Sequence, residues 1–254
     1  MKKKCLENDI PFEGRMPEGK HFIKLVEDVQ ANDYDLVIMG ALGMGAVKDS
    51  LIGGVCERVV RRIQTDTLVV RNINPIETQT GSILVGIDGS PESFAGLKTA
   101  IGIGKAFDRP VEAVGVYDPY LHYVVFNSVV NVLTERASKT FRFKEQEQLH
   151  EEVIDTGLAK IYQSHLEVAR TIAREEHDYN LKITLLDGKA FEKILQYTRR
   201  IQPWILVLGR VGVHSETDMD IGSNSENLLR MVPCNVFLSS QRYVPKIAVK
   251  AEET

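Results

Sequence analysis

One stretch of this chain occurs twice. At an offset of 169 residues, residues 12–71 align with residues 181–240 without a gap. Glycines set the register: Gly19 falls on Gly188, Gly40 on Gly209, Gly43 on Gly212 and Gly53 on Gly222. Phe22, Lys24 and Glu57 likewise fall on Phe191, Lys193 and Glu226. A repeat of this length means that whatever hydrophobic pattern folds one copy is also present in the other.

Each copy reads as strand, helix, strand, glycine loop, helix, strand. Asp35–Met39 and Trp204–Leu208 are short apolar runs that stop at glycine, as buried parallel strands do. In the following helix Cys56, Val59, Val60 and Ile63 stand at i, i+3, i+4 and i+7, and Ser225, Leu228, Leu229 and Val232 repeat that spacing. Thr67–Val70 and Val236–Leu238 close the copies as strands. Only the second copy is preceded by a βαβ start: a strand at Ser82–Asp88, a helix at Pro91–Phe107 and a strand at Val111–Tyr117. Ser90 is placed to cap that helix, with Pro91 at its first position.

The expected organisation is therefore a partial domain at 1–72, a linker at 73–81 carrying Pro75 and Gly81, a complete domain at 82–241 and a tail at 242–254. Between Tyr117 and Leu181 the second copy holds more chain than an α/β unit needs. One helix there is expected to bury Leu158, Ile161, Tyr162, His165, Ala169, Ile172 and Ala173. An insertion at about 120–150 is expected to form a further amphipathic helix through Phe126, Val129, Val130, Leu133, Ala137 and Phe141. Tyr117, Tyr120, Tyr123, Phe126, Phe141 and Phe143 cluster in this region as core filling or an interaction surface.

Composition removes several function classes. A net charge of −4 offers no basic field for a phosphate backbone, so nucleic acid is not an expected partner. No apolar run approaches the roughly 20 residues of a membrane span, and the chain shows no signal core, which predicts a cytoplasmic protein. Cys5, Cys56 and Cys234 are scattered, without the pairing of a disulfide framework or zinc site, and are expected to be unreactive.

Strands alternating with helices imply a doubly wound parallel sheet, which binds ligands beyond the strands' carboxyl ends where strand order reverses. Two loops occupy that place, one after Ile87-Asp88-Gly89-Ser90 and one after Leu206-Val207-Leu208-Gly209. The second continues as Gly209-x2-Gly212-x9-Gly222-Ser223. Glycines let backbone amides approach phosphate oxygens, and the helix that follows offers the positive end of its dipole. The same residues admit structural readings. Ser223-Asn224-Ser225-Glu226 is also a capping box, Asp88 with Gly89 also closes a turn, and Arg210 is either a phosphate counter-charge or a loop arginine.

These segments resemble the universal stress protein family. Gly209-x2-Gly212-x9-Gly222-Ser223 is similar to the nucleotide loop of its ATP-binding members, and Ile83-Leu84-Val85-Gly86-Ile87-Asp88-Gly89-Ser90 looks like the family's first strand. The resemblance implies an α/β fold of the adenine-nucleotide α-hydrolase-like type. It also implies a site for ATP or AMP formed by Asp88, Gly89, Ser90, Val116, Gly209, Arg210, Gly212, Gly222, Ser223 and Asn224, with Asp88 at the adenosine and Val114–Tyr117 near the adenine. The spacer of this copy departs from a phosphate-friendly loop by carrying Glu216, Asp218 and Asp220. Those carboxylates repel phosphate unless Mg²⁺ or Mn²⁺ bridges them, and a solvated loop is the simpler account of them. In the first copy Gly54 replaces the serine, so no nucleotide is expected there.

Gly102-Ile103-Gly104-Lys105-Ala106 imitates the end of a P-loop, but Ala106 stands where a hydroxyl must reach the metal and the segment lies within a helix. No hydrolase motif is present, so the chain is not expected to be an enzyme. Three functions remain: a regulatory adenine-nucleotide-binding protein, a dimerisation module without ligand, and a slow ATPase. Members of the family generally pair through their final strands, which predicts that Thr67–Val70 meets Val236–Leu238. The uncovered edge of the first copy then predicts a homodimer or higher oligomer, or cover by the aromatic insertion.

Overall fold

The computed structural model describes residues 2–43, 51–74, 78–118, 143–213 and 220–245, and for residues 143–156 and 158 the helical backbone alone. The elements in chain order are α1 (Lys2–Glu7), α2 (His21–Ala31), β1 (Val37–Gly40), α3 (Gly54–Arg62), β2 (Thr67–Val70), β3 (Ile83–Gly86), α4 (Pro91–Ala106), β4 (Val111–Tyr117), α5 (Phe143–His177), β5 (Lys182–Asp187), α6 (Ala190–Ile201), β6 (Ile205–Gly209), α7 (Ser223–Met231) and β7 (Asn235–Ser239). The strands form one sheet in the order β1-β2-β7-β6-β3-β4-β5. Every pairing is parallel except β2 with β7, where Thr67 faces Leu238, Leu68 faces Phe237 and Val69 faces Val236.

The repeat survives in three dimensions. α3 and α7 begin and end at the same repeat positions, and their predicted apolar faces are buried in both copies. Across the second copy, α4 and α5 cover one face of the sheet around Val85, Leu97, Ile101, Leu166 and Val207. α6 and α7 cover the other around Leu84, Val114, Leu206, Leu228 and Leu229. Burial on both faces explains why these strands read as continuous apolar runs.

Among its described residues the first copy has two strands. Its expected opening strand is not formed, and no regular structure lies between Glu7 and His21. Pro11 and Pro17 each remove a ladder donor from that segment. The corresponding strand of the second copy, β5, pairs with β4, and the first copy contains no counterpart of β4. β1 is consequently an edge. Ile38 on β1 is 61% exposed where its repeat equivalent Val207 is fully buried, and Leu36 is 40% exposed against 2% for Ile205.

The two copies meet along β2 and β7 through reciprocal contacts. Oδ1 of Asp66 accepts hydrogen bonds from the amides of Ser240 and Gln241 at 2.6 and 3.2 Å. Its repeat equivalent Asn235 accepts through Oδ1 from the amides of Arg71 and Asn72 at 2.8 and 3.2 Å. Arg230 on α7 donates to Glu57 on α3 at 3.0 Å, while Arg61 on α3 pairs with Glu226 on α7. This is the two-way correspondence of an isologous interface, built inside one chain.

The linker is anchored by Gln79, whose side chain accepts a hydrogen bond from the indole of Trp204 at 2.8 Å and whose carbonyl accepts one from Arg109. The tail docks as far as Tyr243, whose amide donates to the Pro91 carbonyl and whose ring lies under Lys98. Within α5, Ala169, Ile172 and Ala173 are buried as expected, but Ile161 is exposed and Leu166 takes the core position. The expected insertion helix at 126–141 lies outside the described residues.

Candidate functional site

Strand order reverses between β3 and β6, because the chain proceeds to β4 and β5 on one side and to β7 on the other. A cavity of about 200 Å³ opens beyond their carboxyl ends. Asp88, Val114, Val116, Gly209, Gly212, Gly222, Ser223 and Asn224 all line it, joined by Ile87, Tyr162, Ile194 and Leu228. A pocket enclosing a drug-sized molecule occupies roughly 300–1,000 Å³. This one is smaller, with room for a flat ring system but not for a whole nucleotide.

Asp88 ties the two loops together. Its Oδ1 accepts from the amide and hydroxyl of Ser90 at 3.0 and 2.6 Å, and its Oδ2 accepts from the amide of Val213 at 3.0 Å. The turn reading of this residue is therefore realised, with Ser90 as the turn partner. Ser90 also caps α4, its hydroxyl accepting from the Ser93 amide at 3.2 Å. Gly89 and Ser90 stand behind the cavity wall. At Gly89 φ is +91° and a Cβ would lie 2.5 Å from Cε1 of His165, so any other residue would be strained and would have to displace the imidazole.

At the other end of the cavity, α7 begins with Gly222 at its N-cap and no side-chain cap. The capping-box reading of Ser223 is not realised, since Ser223 is the first helical residue and is exposed at the cavity. The Gly222 amide donates to the Arg210 carbonyl at 2.8 Å, which folds the glycine loop back on itself. Gly53 does the same with Ala41 at 2.7 Å in the first copy. The uncapped first turn presents the positive end of the helix to the cavity, an arrangement suited to an anion. Ser225, which sequence reading took only as part of a core face, spends its hydroxyl on the Gly209 carbonyl at 2.7 Å.

Arg210 is a correction. It is fully buried and points from the loop into the seam between copies, where its guanidinium donates to the Val60 carbonyl at 2.7 Å, the Thr65 carbonyl at 3.2 Å and Ser240 Oγ at 2.7 Å. Burial draws its pKa down to about 10, against the neighbouring charges of Asp66 and Asp220. A side chain so engaged is not a counter-charge for phosphate at the cavity. From the opposite copy Arg71 reaches the carbonyl of Leu229, the repeat equivalent of Val60, so the seam is pinned from both sides.

The residues present fit an adenine nucleotide: an apolar slot at Ile87, Val114 and Val116, then a glycine loop and an uncapped helix start. Among the described residues no cluster of three metal-binding side chains occurs. Asp88 already accepts three hydrogen bonds, and Glu216 and Asp218 lie outside the described residues. The thiols of buried Cys56 and half-buried Cys234 are each pushed up to about 11 by desolvation, away from the reactive range. No helix among the described residues is long and apolar enough to cross a membrane.

The family model for the universal stress protein family matches residues 10–71 and 80–239. A universal stress protein of Mycobacterium tuberculosis is 35% identical over 89 residues, which cover 34% of this chain and 30% of that protein. A second protein of that name from the same organism is 34% identical over 83 residues, covering 32% of this chain and 26% of that protein. The chain thus spans less than a third of the curated relatives it matches. Among solved structures, a protein of unknown function from Pseudomonas aeruginosa superposes with a TM-score of 0.58 at 14% identity, covering 94% of this chain and 74% of the other. A universal stress protein from Archaeoglobus fulgidus superposes with a TM-score of 0.57 at 18% identity, covering 93% and 74%. At these identities the structural likeness speaks for the fold.

Proposed function

Because this chain belongs to the universal stress protein family, we propose that it is a regulatory protein that binds an adenine nucleotide, ATP or AMP, in the cavity between β3 and β6. The observation that carries the proposal is convergence. Asp88 and Val116 come from one half of the second copy and Gly209, Gly212, Gly222, Ser223 and Asn224 from the other, and all of them face a single cavity at the strand-order switch. Residues 82–241 then act as the binding domain and residues 1–72 as the partner half that packs on it. The base enters the apolar slot, the ribose lies by Asp88, and the phosphates meet the amides of the glycine loop and the hydroxyl of Ser223. Any Mg²⁺ or Mn²⁺ is held mainly by the phosphates and water, since hard cations keep much of their hydration.

Titration of the full chain with labelled ATP and adenosine tests this. Ser223→Ala is expected to weaken ATP by about ten- to a hundredfold, the worth of one hydrogen bond to a charged group, and to leave adenosine unchanged. Equal losses for both ligands would show a disturbed helix start, and the absence of binding by the parent chain would leave the dimerisation reading. A slow ATPase needs a positioned base, and Asp88 is occupied by Ser90 and Val213, which argues for binding without turnover. Self-association is a further part of this proposal. The free edge of β1, with Leu36 and Ile38 exposed, offers unpaired backbone and apolar surface to a second chain.

A further inference from the structure

We propose that Tyr162 is the residue that positions the ring system of the ligand in this cavity, an inference that rests on the nucleotide reading above. Sequence periodicity groups Tyr162 with the core face of its helix. In the structure it behaves differently from Leu166 and Ala169, its buried neighbours on that face: it is half-exposed and lines the cavity. It is also the sole aromatic side chain among the described residues lining the cavity, where it joins Ile87, Val114 and Val116 at the apolar end. A planar base gains affinity from stacking on a flat π surface, and β-branched side chains do not provide one.

The ring is also held. It meets His165 edge-on, with centroids 5.7 Å apart and planes at 64°. His165 in turn presses on Gly89 so closely that a Cβ there would sit 2.5 Å from the imidazole, and its Nδ1 is buried without a partner. Gly89 follows Asp88 directly, so Tyr162, His165 and the Asp88 turn form one wedge. α5 thereby sets the width of the slot relative to the carboxylate that binds the ribose in the proposed mode. Nothing equivalent exists in the first copy, whose described residues hold no counterpart of α5.

The test uses the full chain and its Tyr162→Phe, Tyr162→Leu and Tyr162→Met variants, titrated with ATP, adenosine and fluorescent ethenoadenosine. The two non-aromatic variants are expected to lose about tenfold in affinity for ATP and adenosine alike, as for one lost base stack. Tyr162→Phe keeps the parent affinity, and bound ethenoadenosine is less quenched in the Leu and Met variants than in the parent. Parent-like adenosine affinity in either folded non-aromatic variant overturns the role of Tyr162 and leaves the nucleotide reading intact. A parent chain that binds none of the three ligands overturns both.

Discussion

β1 and β6 occupy the same repeat position in two different settings. β6 lies between β7 and β3, with helices on both faces, and its carboxyl end opens into the cavity. β1 has β2 on one side and, among the described residues, no strand on the other. The described ends of the glycine loops after them correspond in one hydrogen bond, which the amides of Gly53 and Gly222 each return to the start of the loop. In the second copy β3 and β4 bring Asp88, Val114 and Val116 against the loop and α5 brings Tyr162, and the cavity lies between them.

The contrast is sharpest for a charge placed in the sheet. Val207→Asp is expected to cost more than about 4 kcal/mol, enough to unfold the second copy, because it buries an unpaired carboxylate. Ile38→Asp, at the equivalent position, is expected to stay within about 0.5 kcal/mol and to reduce self-association in light scattering. If Ile38→Asp unfolds the chain as well, the face of the first copy is covered after all. Next in size is Arg210→Met, which leaves the buried carbonyls of Val60 and Thr65 without a donor. A loss of about 3 kcal/mol in urea denaturation is expected, with ATP affinity unchanged. A variant of parental stability and weakened ATP binding would return Arg210 to the ligand.

Binding separates the loops themselves. Gly212→Ala should weaken ATP by about tenfold, one lost amide-to-phosphate contact, whereas Gly43→Ala, where a Cβ meets nothing within 4 Å, should leave it untouched. The reverse pattern would move the site to the first copy. The smallest effects belong to the reciprocal ion pairs. Arg61→Ala and Arg230→Ala should each cost about 0.5 kcal/mol, as partly exposed pairs do, and by similar amounts if the seam is symmetric in energy as well as in geometry.

The elements of the second copy were legible because parallel strands buried on both faces leave unbroken apolar runs, and a glycine or proline marks where each one stops. The missing opening strand of the first copy was not legible from the repeat alone, since a strand also depends on a neighbour, and the neighbour lies outside the repeat. Gly209, Gly212 and Gly222 line the cavity, a placement that follows from backbone pattern alone. Side-chain direction was not legible in the same way. Arg210 sits in the nucleotide loop by sequence, yet its side chain turns into the seam, because three acceptors from the chain itself await it there. Tyr162 was hidden for the opposite reason, as an apolar stripe does not distinguish a residue facing the core from one facing a cavity.

The pairing of β2 with β7 joins the chain's second strand to its last one. Part of the first copy's burial depends on it, since Cys56, Val60 and Val69 belong to the core that holds Leu228, Leu229 and Val236. On the ribosome the order of synthesis runs the other way. The first copy emerges while roughly 160 residues, about 10–30 s of translation, still separate it from its partner strand. During that interval both edges of a two-stranded unit are open, and the newborn chain has to be kept from pairing with its neighbours on the same message. Completion of β7 then covers the edge at β2 and leaves the edge at β1 open.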